Sequence, residues 1–317
     1  MSSDRLAVKI CRLFYEENLT KIEIEKRLHI SRFKVARILK EAKRSGLIRI
    51  QIMEPETDLS ELEKELEKIY KLKSAVLVWD DGDTLNQLKK RAGLVASQYV
   101  LGILRPEDIL GVGWGTTTYE LVNAMPENIA LNPTVVQVSG GNVAIESGID
   151  SQALTLKLAR KFGVEPFLLH APTFVDRIET RKLLLKEKSF KKIFQLYSKT
   201  NVLIAGIGAF IGNSFIGSRY LDPTEMAALN RQKAVGEYLT YCYDIHGRIC
   251  ETEALERTIA IPAEMIKSIP CSIGIAVGKQ KSAAIKGAVR AGLINTLITD
   301  TTTAKSLINS RKEAEHE

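Results

Sequence analysis

The chain has 317 residues, 45% of them apolar, with 45 Lys plus Arg against 38 Asp plus Glu, which excludes disordered, collagen-like and coiled-coil-only chains and suits about two domains of ~150 residues. The net charge of +7 sits at one end: residues 1–50 hold 13 basic and 6 acidic side chains, and the 267 residues after them hold 32 of each sign. Such asymmetry points to a polyanion, nucleic acid or anionic lipid, at the N-terminal end, with a solvated basic face as the plainer alternative. No secretory signal pattern and no apolar run of the ~18 residues that a membrane helix needs is present. Cys11, Cys242, Cys250 and Cys271, and His29, His170, His246 and His316, show no paired spacing, so neither a disulfide framework nor a metal site is expected. A soluble, cytoplasmic protein without a membrane partner follows as the expectation.

In chain order, Leu6, Ile10, Leu13 and Phe14 recur at helical spacing and predict a first helix ending at Glu17-Asn18. Thr20 with Glu23 forms a capping box for a second helix that buries Ile24 and Leu28. After His29-Ile30, Ser31 caps a third helix burying Val35, Ile38, Leu39 and Ala42. Two short helices joined by about three residues make a helix-turn-helix. The third helix carries Arg32, Lys34, Arg37, Lys40, Lys43 and Arg44 against one acid, Glu41. Ser31, Arg32, Phe33, Lys34 and Arg37 then stand where base edges are met, and Lys40, Lys43 and Arg44 where phosphates are met. Alternation over 47–52 predicts a wing. His29 replaces the usual turn glycine, Glu25 replaces a small residue at the helix crossing, and the pattern leaves open whether Phe33 touches DNA or packs inside.

Leu59, Leu62, Leu66 and Ile69 form a short a/d seam, read as a helical linker that pairs subunits or packs on the next domain. A dimer would suit paired operator half-sites. The resulting division is a DNA-binding domain over 1–54, a linker helix over 55–73 and an effector domain over 74–317.

From 75 onward apolar runs alternate with helical patterns. Strands are predicted at 75–79, 109–112, 134–138, 167–170, 202–207, 272–277 and 296–299. Helices are predicted at 88–104, 116–124, 151–162, 179–197, 223–231, 281–291 and 302–310. This alternation implies an α/β domain with a mostly parallel sheet covered on both faces, whose ligands sit beyond the C-terminal strand ends. There the sequence places Gly113-Trp114-Gly115-Thr116-Thr117-Thr118, Ser139-Gly140-Gly141-Asn142, Gly206-Ile207-Gly208 and Gly278-Lys279-Gln280-Lys281. The first is a natural phosphate cradle before a helix. Neither a full dinucleotide fingerprint nor a P-loop is present, so no cofactor is expected and a small phosphorylated metabolite is the simplest ligand. Each such loop also has the plainer reading that glycine lets the chain turn.

The segments LTKIEIEKRLHISRFKVARILKEAKRSGLIRI, GVGWGTTTYELV, VVQVSGGN, HAPTFV, IAGIG, VGEYLTYCYDIHG and GKQKSAAIKGAVRAGLINTLITDTTTA together resemble the SorC/DeoR-type sugar-binding transcriptional regulators, in order over nearly the whole chain. The resemblance implies a winged helix-turn-helix joined to a Rossmann-like, doubly wound effector domain similar to phosphosugar isomerases such as glucosamine-6-phosphate deaminase and ribose-5-phosphate isomerase. It further implies binding of a phosphorylated sugar and of operator DNA by a homo-oligomer, a dimer or tetramer. Thr20, Ser31, Arg32, Phe33, Lys34, Arg37 and Lys40 are the expected DNA-binding residues. By the same resemblance Gly113, Gly115, Thr116, Thr117 and Thr118 cradle phosphate, and Lys281 faces phosphate or sugar. Gln137, Gly140, Gly141 and Asn142 lie against the sugar, while Glu237 and Asp244 accept from its hydroxyls. Asp244 has the equal alternative of a turn residue before Gly247, and Arg219 and Arg257 are weaker phosphate candidates. The expected function is a ligand-controlled repressor and not an enzyme. The competing reading is a phosphosugar isomerase or deaminase, with Glu237 or Asp244 as base and Lys281 as anchor.

Overall fold

The computed structural model describes residues 3–17, 19–48, 59–141, 149–210 and 221–315, and the chain divides into two compact units, Met1–Thr57 and Asp58–Glu317. In the first unit α1 spans Ser3–Tyr15, α2 Lys21–Leu28 and α3 Arg32–Arg44. Their apolar stripes meet in a small core of Ile10, Cys11, Leu13, Ile24, Val35, Leu39 and Ala42. The turn between α2 and α3 pivots on His29, at φ +53°, the left-handed conformation for which a glycine is usual and which strains a residue with a Cβ. Of the expected wing over 47–52, Leu47 and Ile48 follow the end of α3 and the rest lies outside the described residues.

The second unit runs α4 (Ser60–Tyr70), β1 (Ser74–Val78), α5 (Leu85–Ile103), β2 (Ile109–Val112), α6 (Thr116–Ala124), β3 (Thr134–Gln137), α7 (Ser151–Phe162), α8 (Ile178–Leu184), α9 (Lys188–Tyr197), β4 (Val202–Ala209), α10 (Pro223–Arg231), β5 (Ala234–Tyr238), β6 (Tyr241–Asp244), α11 (Glu253–Glu256), α12 (Ala263–Ser268), β7 (Cys271–Ile275), α13 (Ser282–Arg290), β8 (Thr296–Asp300) and α14 (Thr301–Glu315). Six strands pair in parallel in the order β1-β8-β7-β4-β2-β3, and a β5–β6 hairpin adds antiparallel to the end of β4. Strand residues alternate between two cores, Leu203 and Ala205 facing one side and Val202 and Ile204 the other. On the first side lie Leu66 of α4, Phe190 and Ile193 of α9, Ile285 of α13 and Leu307 of α14. On the second lie Leu88 and Ala96 of α5, Leu121 of α6 and Leu154 of α7. Helices thus cover both faces, as a doubly wound sheet requires. The a/d seam of α4 is spent on this unit: Leu66 is fully buried, with Leu59, Leu62 and Ile69 packed beside it.

Two expectations need correction, and one pair of strands was not foreseen. The strand expected at 167–170 is reduced to a single parallel bridge between Phe167 and Val136, because the Leu169 N–H donates to the Gln137 side chain (3.0 Å) and not to a neighbouring strand. The helix expected at 179–197 is two helices, the second starting after Glu187 in extended backbone. This break turns Phe190, Ile193 and Tyr197 to the core while Leu183 stays 64% exposed. The β5–β6 hairpin lay in a stretch for which no element was predicted.

α5 and α6 approach so closely at Gly93 that a Cβ there would lie 2.5 Å from the Glu120 backbone. Gly93→Ala is therefore expected to cost about 1–3 kcal/mol by overpacking, read as a lowered melting temperature of the second unit. His29→Gly is expected to relieve the left-handed strain and stabilise the first unit by about 1 kcal/mol, read as slower amide hydrogen exchange in α1, α2 and α3.

Candidate functional site

In the first unit both caps form. Thr20 Oγ1 accepts from the Glu23 N–H (3.3 Å), the Glu23 carboxylate accepts from the Thr20 N–H (2.7 Å), and the Thr20 hydroxyl donates to the same carboxylate (2.7 Å). Ser31 Oγ accepts from the Lys34 N–H (3.4 Å) and fixes the first turn of α3. With Val35, Leu39 and Ala42 buried, Arg32, Phe33, Lys34, Arg37 and Lys40 are all exposed on the rest of the helix. This is the geometry of a cationic recognition surface held by a small apolar core.

In the second unit the sheet reverses its winding around β2: the chain leaves β2 for β3 on one side and returns at β4 on the other. Such a switch point opens a crevice beyond the C-terminal strand ends. A cavity of about 450 Å³ lies there, lined among others by Trp114, Gly115, Thr116 and Thr117 after β2, Gly206 to Gly208 at the end of β4, Ile275 to Val277 at the end of β7, and Glu237 and Lys281. Gly115 precedes α6 at φ +132°, a conformation open to glycine alone in practice. No side chain caps α6, and its first intrahelical bond is the Tyr119 N–H to Gly115 O (2.9 Å). The N–H groups of Thr116, Thr117 and Thr118 are left without intrahelical acceptors, as at any helix start, and carry the positive end of the helix dipole. Thr117 donates its hydroxyl to Ile275 O and Thr118 to Trp114 O, both 3.2 Å, while Thr116 is exposed.

Opposite this helix start, Lys281 ends a short 3₁₀ turn, and its Nζ donates to Ile207 O (3.1 Å). Asp300, fully buried, holds the turn by accepting from the Gly278 N–H (2.6 Å). Glu237 pairs directly across from Gly208, where a Cβ would come within 2.4 Å of its Cγ and Oε1. The glycine therefore makes the room that the carboxyl occupies. Glu237 is 6% exposed and its Oε2 has no hydrogen-bond partner. Burial pushes its pKa up to about 8, against the pull of Lys281. Burial also lowers the pKa of Lys281, with Glu237 opposing and Lys89 adding to that shift. The pocket thus presents N–H donors and ammonium groups near one buried carboxyl whose pKa is raised, which fits an anionic, hydroxyl-bearing ligand.

A family model with the description "Putative sugar-binding domain" matches residues 54–309. The chain belongs to the SorC/DeoR-type family of sugar-binding transcriptional regulators. It is 27% identical to the deoxyribonucleoside regulator of Bacillus subtilis over 96% of this chain and 97% of that protein. It is 29% identical to the sorbitol operon regulator of Klebsiella pneumoniae over 96% and 98%. The crystal structure of that full-length regulator superimposes with a TM-score of 0.78, at 29% identity, covering 97% of this chain and 99% of the other.

Of the effector positions expected from the family, the fold brings Gly115, Thr116, Thr117, Glu237 and Lys281 to the cavity. Others serve the scaffold. A Cβ at Gly113 would strike Leu239 and Ala205, and one at Gly140 would strike Pro172. Gly141 pairs with Pro172, Thr118 is buried, and Gln137 is buried with its amide held by Ser139 O (2.6 Å) and the Leu169 N–H. Asp244, expected either as a sugar contact or as a turn residue, has its carboxylate engaged in the turn. Its carboxylate accepts from the N–H groups of His246 and Arg248 (both 2.9 Å) and from Arg248 Nε (2.7 Å). Burial raises its pKa, but these bonds and the guanidinium outweigh that and hold it below its ordinary value. Arg257 is paired with Glu225 (2.6 Å), and Thr20 is engaged in its capping box. Asn142 and Arg219 lie outside the described residues. Sequence reasoning missed Leu85, Lys89 and Ile149 at the cavity, since nothing in their local pattern ties them to loops distant in the chain. No cluster of His, Cys, Asp or Glu suited to a metal occurs among the described residues.

Because the Glu237 pKa is about 8 in the folded protein against 4.5 for an ordinary glutamate, folding takes up a proton between those values. The stability linked to that protonation is full below pH 4.5 and is lost as pH rises to 8. Urea unfolding followed by tryptophan fluorescence is expected to show stability falling over this window by at most about 1.4 kcal/mol per pH unit from this group. Glu237→Gln should remove that component, and parallel pH profiles for the two proteins would count against the assignment.

Proposed function

We propose that this regulator binds operator DNA through α3, with Ser31, Arg32, Phe33, Lys34 and Arg37 toward the bases and Lys40 toward phosphate, and that a phosphorylated sugar in the second unit controls that binding. The reading is of a cytoplasmic repressor acting as a homo-oligomer, a dimer or tetramer. The observation that carries the ligand assignment is the convergence of the uncapped α6 start, Thr116 and Lys281 on one cavity with Glu237. Phosphate would sit on the N–H groups of α6 beside Lys281, and the sugar hydroxyls would meet Glu237. For such a ligand to act on DNA binding it must favour one of two conformational states, because equal affinity for both shifts nothing.

One observation favours a second reading. A carboxyl with its pKa raised to about 8 beside a lysine is what proton transfer in an aldose–ketose isomerase uses near neutral pH. That reading leaves the basic surface of α3 without a purpose. Release of ketose phosphate from aldose phosphates by the purified chain is the outcome that would favour it.

The main test is a thermal-shift panel of sugar phosphates and their unphosphorylated counterparts. A ligand at 100 times its Kd is expected to stabilise the second unit by about 2.7 kcal/mol, and only the phosphorylated form should do so. The same compound should alter binding to a duplex selected by the chain from a random pool. Lys281→Met should keep duplex binding and lose the response. An unchanged response in Lys281→Met, or equal shifts from unphosphorylated sugars, would argue against the assignment.

A further inference from the structure

Among the described residues Phe33 is the most exposed of the large apolar side chains, at 75%. It sits in the first turn of α3, the turn fixed by Ser31, and away from the Val35, Leu39 and Ala42 stripe that holds the helix to its core. The Arg32 guanidinium lies 5.2 Å from the centre of its ring, and Arg32, Lys34, Arg37 and Lys40 are exposed on the same helix. An aromatic ring gains nothing from water, and a protein partner covering it would have to desolvate these cations. A polyanion satisfies both demands. Phosphates offer the ring no apolar surface, whereas in the major groove thymine alone of the four bases presents a methyl group.

We propose that Phe33 is a specificity-determining residue that packs on the 5-methyl group of a thymine in the operator. The inference rests on the reading that α3 enters the major groove. Phe33 then supplies selection for A·T pairs at its position, and the surrounding cations supply affinity that is blind to sequence and sensitive to salt.

The test uses the full chain and a synthetic, unmethylated duplex selected by the wild-type protein from a random pool. Each thymine is replaced in turn by deoxyuridine, which removes only the methyl group, and binding is read by fluorescence anisotropy at fixed salt. In the wild type, deoxyuridine at one position per bound α3 is expected to weaken binding about fourfold, the factor for one buried carbon of this size. In Phe33→Ala the same replacement should have no effect, and Phe33→Leu should retain part of it. The exposed position predicts an unchanged melting temperature for both variants, so a lost effect is not a lost fold. Replacing deoxythymidine leaves the contacts of Arg32 in place, which separates the ring from the guanidinium stacked on it. If the wild type discriminates its selected duplex but tolerates every deoxyuridine, or if the penalty persists in Phe33→Ala, the Phe33 assignment is overturned while DNA binding stands. If the wild type prefers no duplex over scrambled DNA, the reading of α3 as an operator-recognition helix fails and this inference with it.

Discussion

Where β4 runs past the end of its parallel neighbours, residues 207 to 209 pair antiparallel with β5, and Glu237 is laid directly across Gly208. The pocket depends on that pairing. It carries an ionisable group over the crevice that the winding of the sheet would open in any case, and it holds the carboxyl largely buried in the cavity wall. Tight contacts hold the hairpin: a Cβ at Gly236 would come within 2.5 Å of Ala284 in α13, so β5 rests on the helix that follows Lys281. Glu237 and Lys281 are brought together by this packing, not by proximity in the chain. The protonation of each then follows from burial set against the other's charge.

The two units use electrostatics in opposite ways. On α3 the cations stand in water, where each contact is weak, screened by salt and useful mainly in number. In the crevice the groups are few and largely desolvated, so each one is worth more and must be placed accurately. Whole-chain charge reports the first arrangement and is silent about the second. The balance of 32 acidic and 32 basic residues after residue 50 is compatible with an anion site built chiefly from backbone N–H groups and one or two lysines.

Local signals read well where a few neighbouring residues settle the outcome. The capping box at Thr20, the cap at Ser31 and the parallel strands at β2 and β4 all follow from such short patterns. The β5–β6 hairpin did not, because Val235-Gly236-Glu237-Tyr238 mixes glycine, acid and aromatic residues, and its pairing is made by β4 from outside. The glycines after β2 and β4 were legible as a group, yet the sequence alone cannot separate one that opens a cavity from one that admits a packed side chain. Gly115 is of the first kind and Gly113 of the second.

The sequence by itself determined that a basic helix-turn-helix precedes an α/β effector unit, since helix caps, apolar period and charge are properties of adjacent residues. It also marked the turn after α2, where His29 takes the left-handed backbone. Only the tertiary structure decided which polar groups face the cavity. Gln137 and Asp244 have the chemistry of ligand-binding residues, but their hydrogen-bonding capacity is used by backbone groups that folding brings to them. Lys89 joins the site without any local sign. Access to a ligand depends on which donors and acceptors remain after the chain has met its own needs, and that remainder exists only in the folded state.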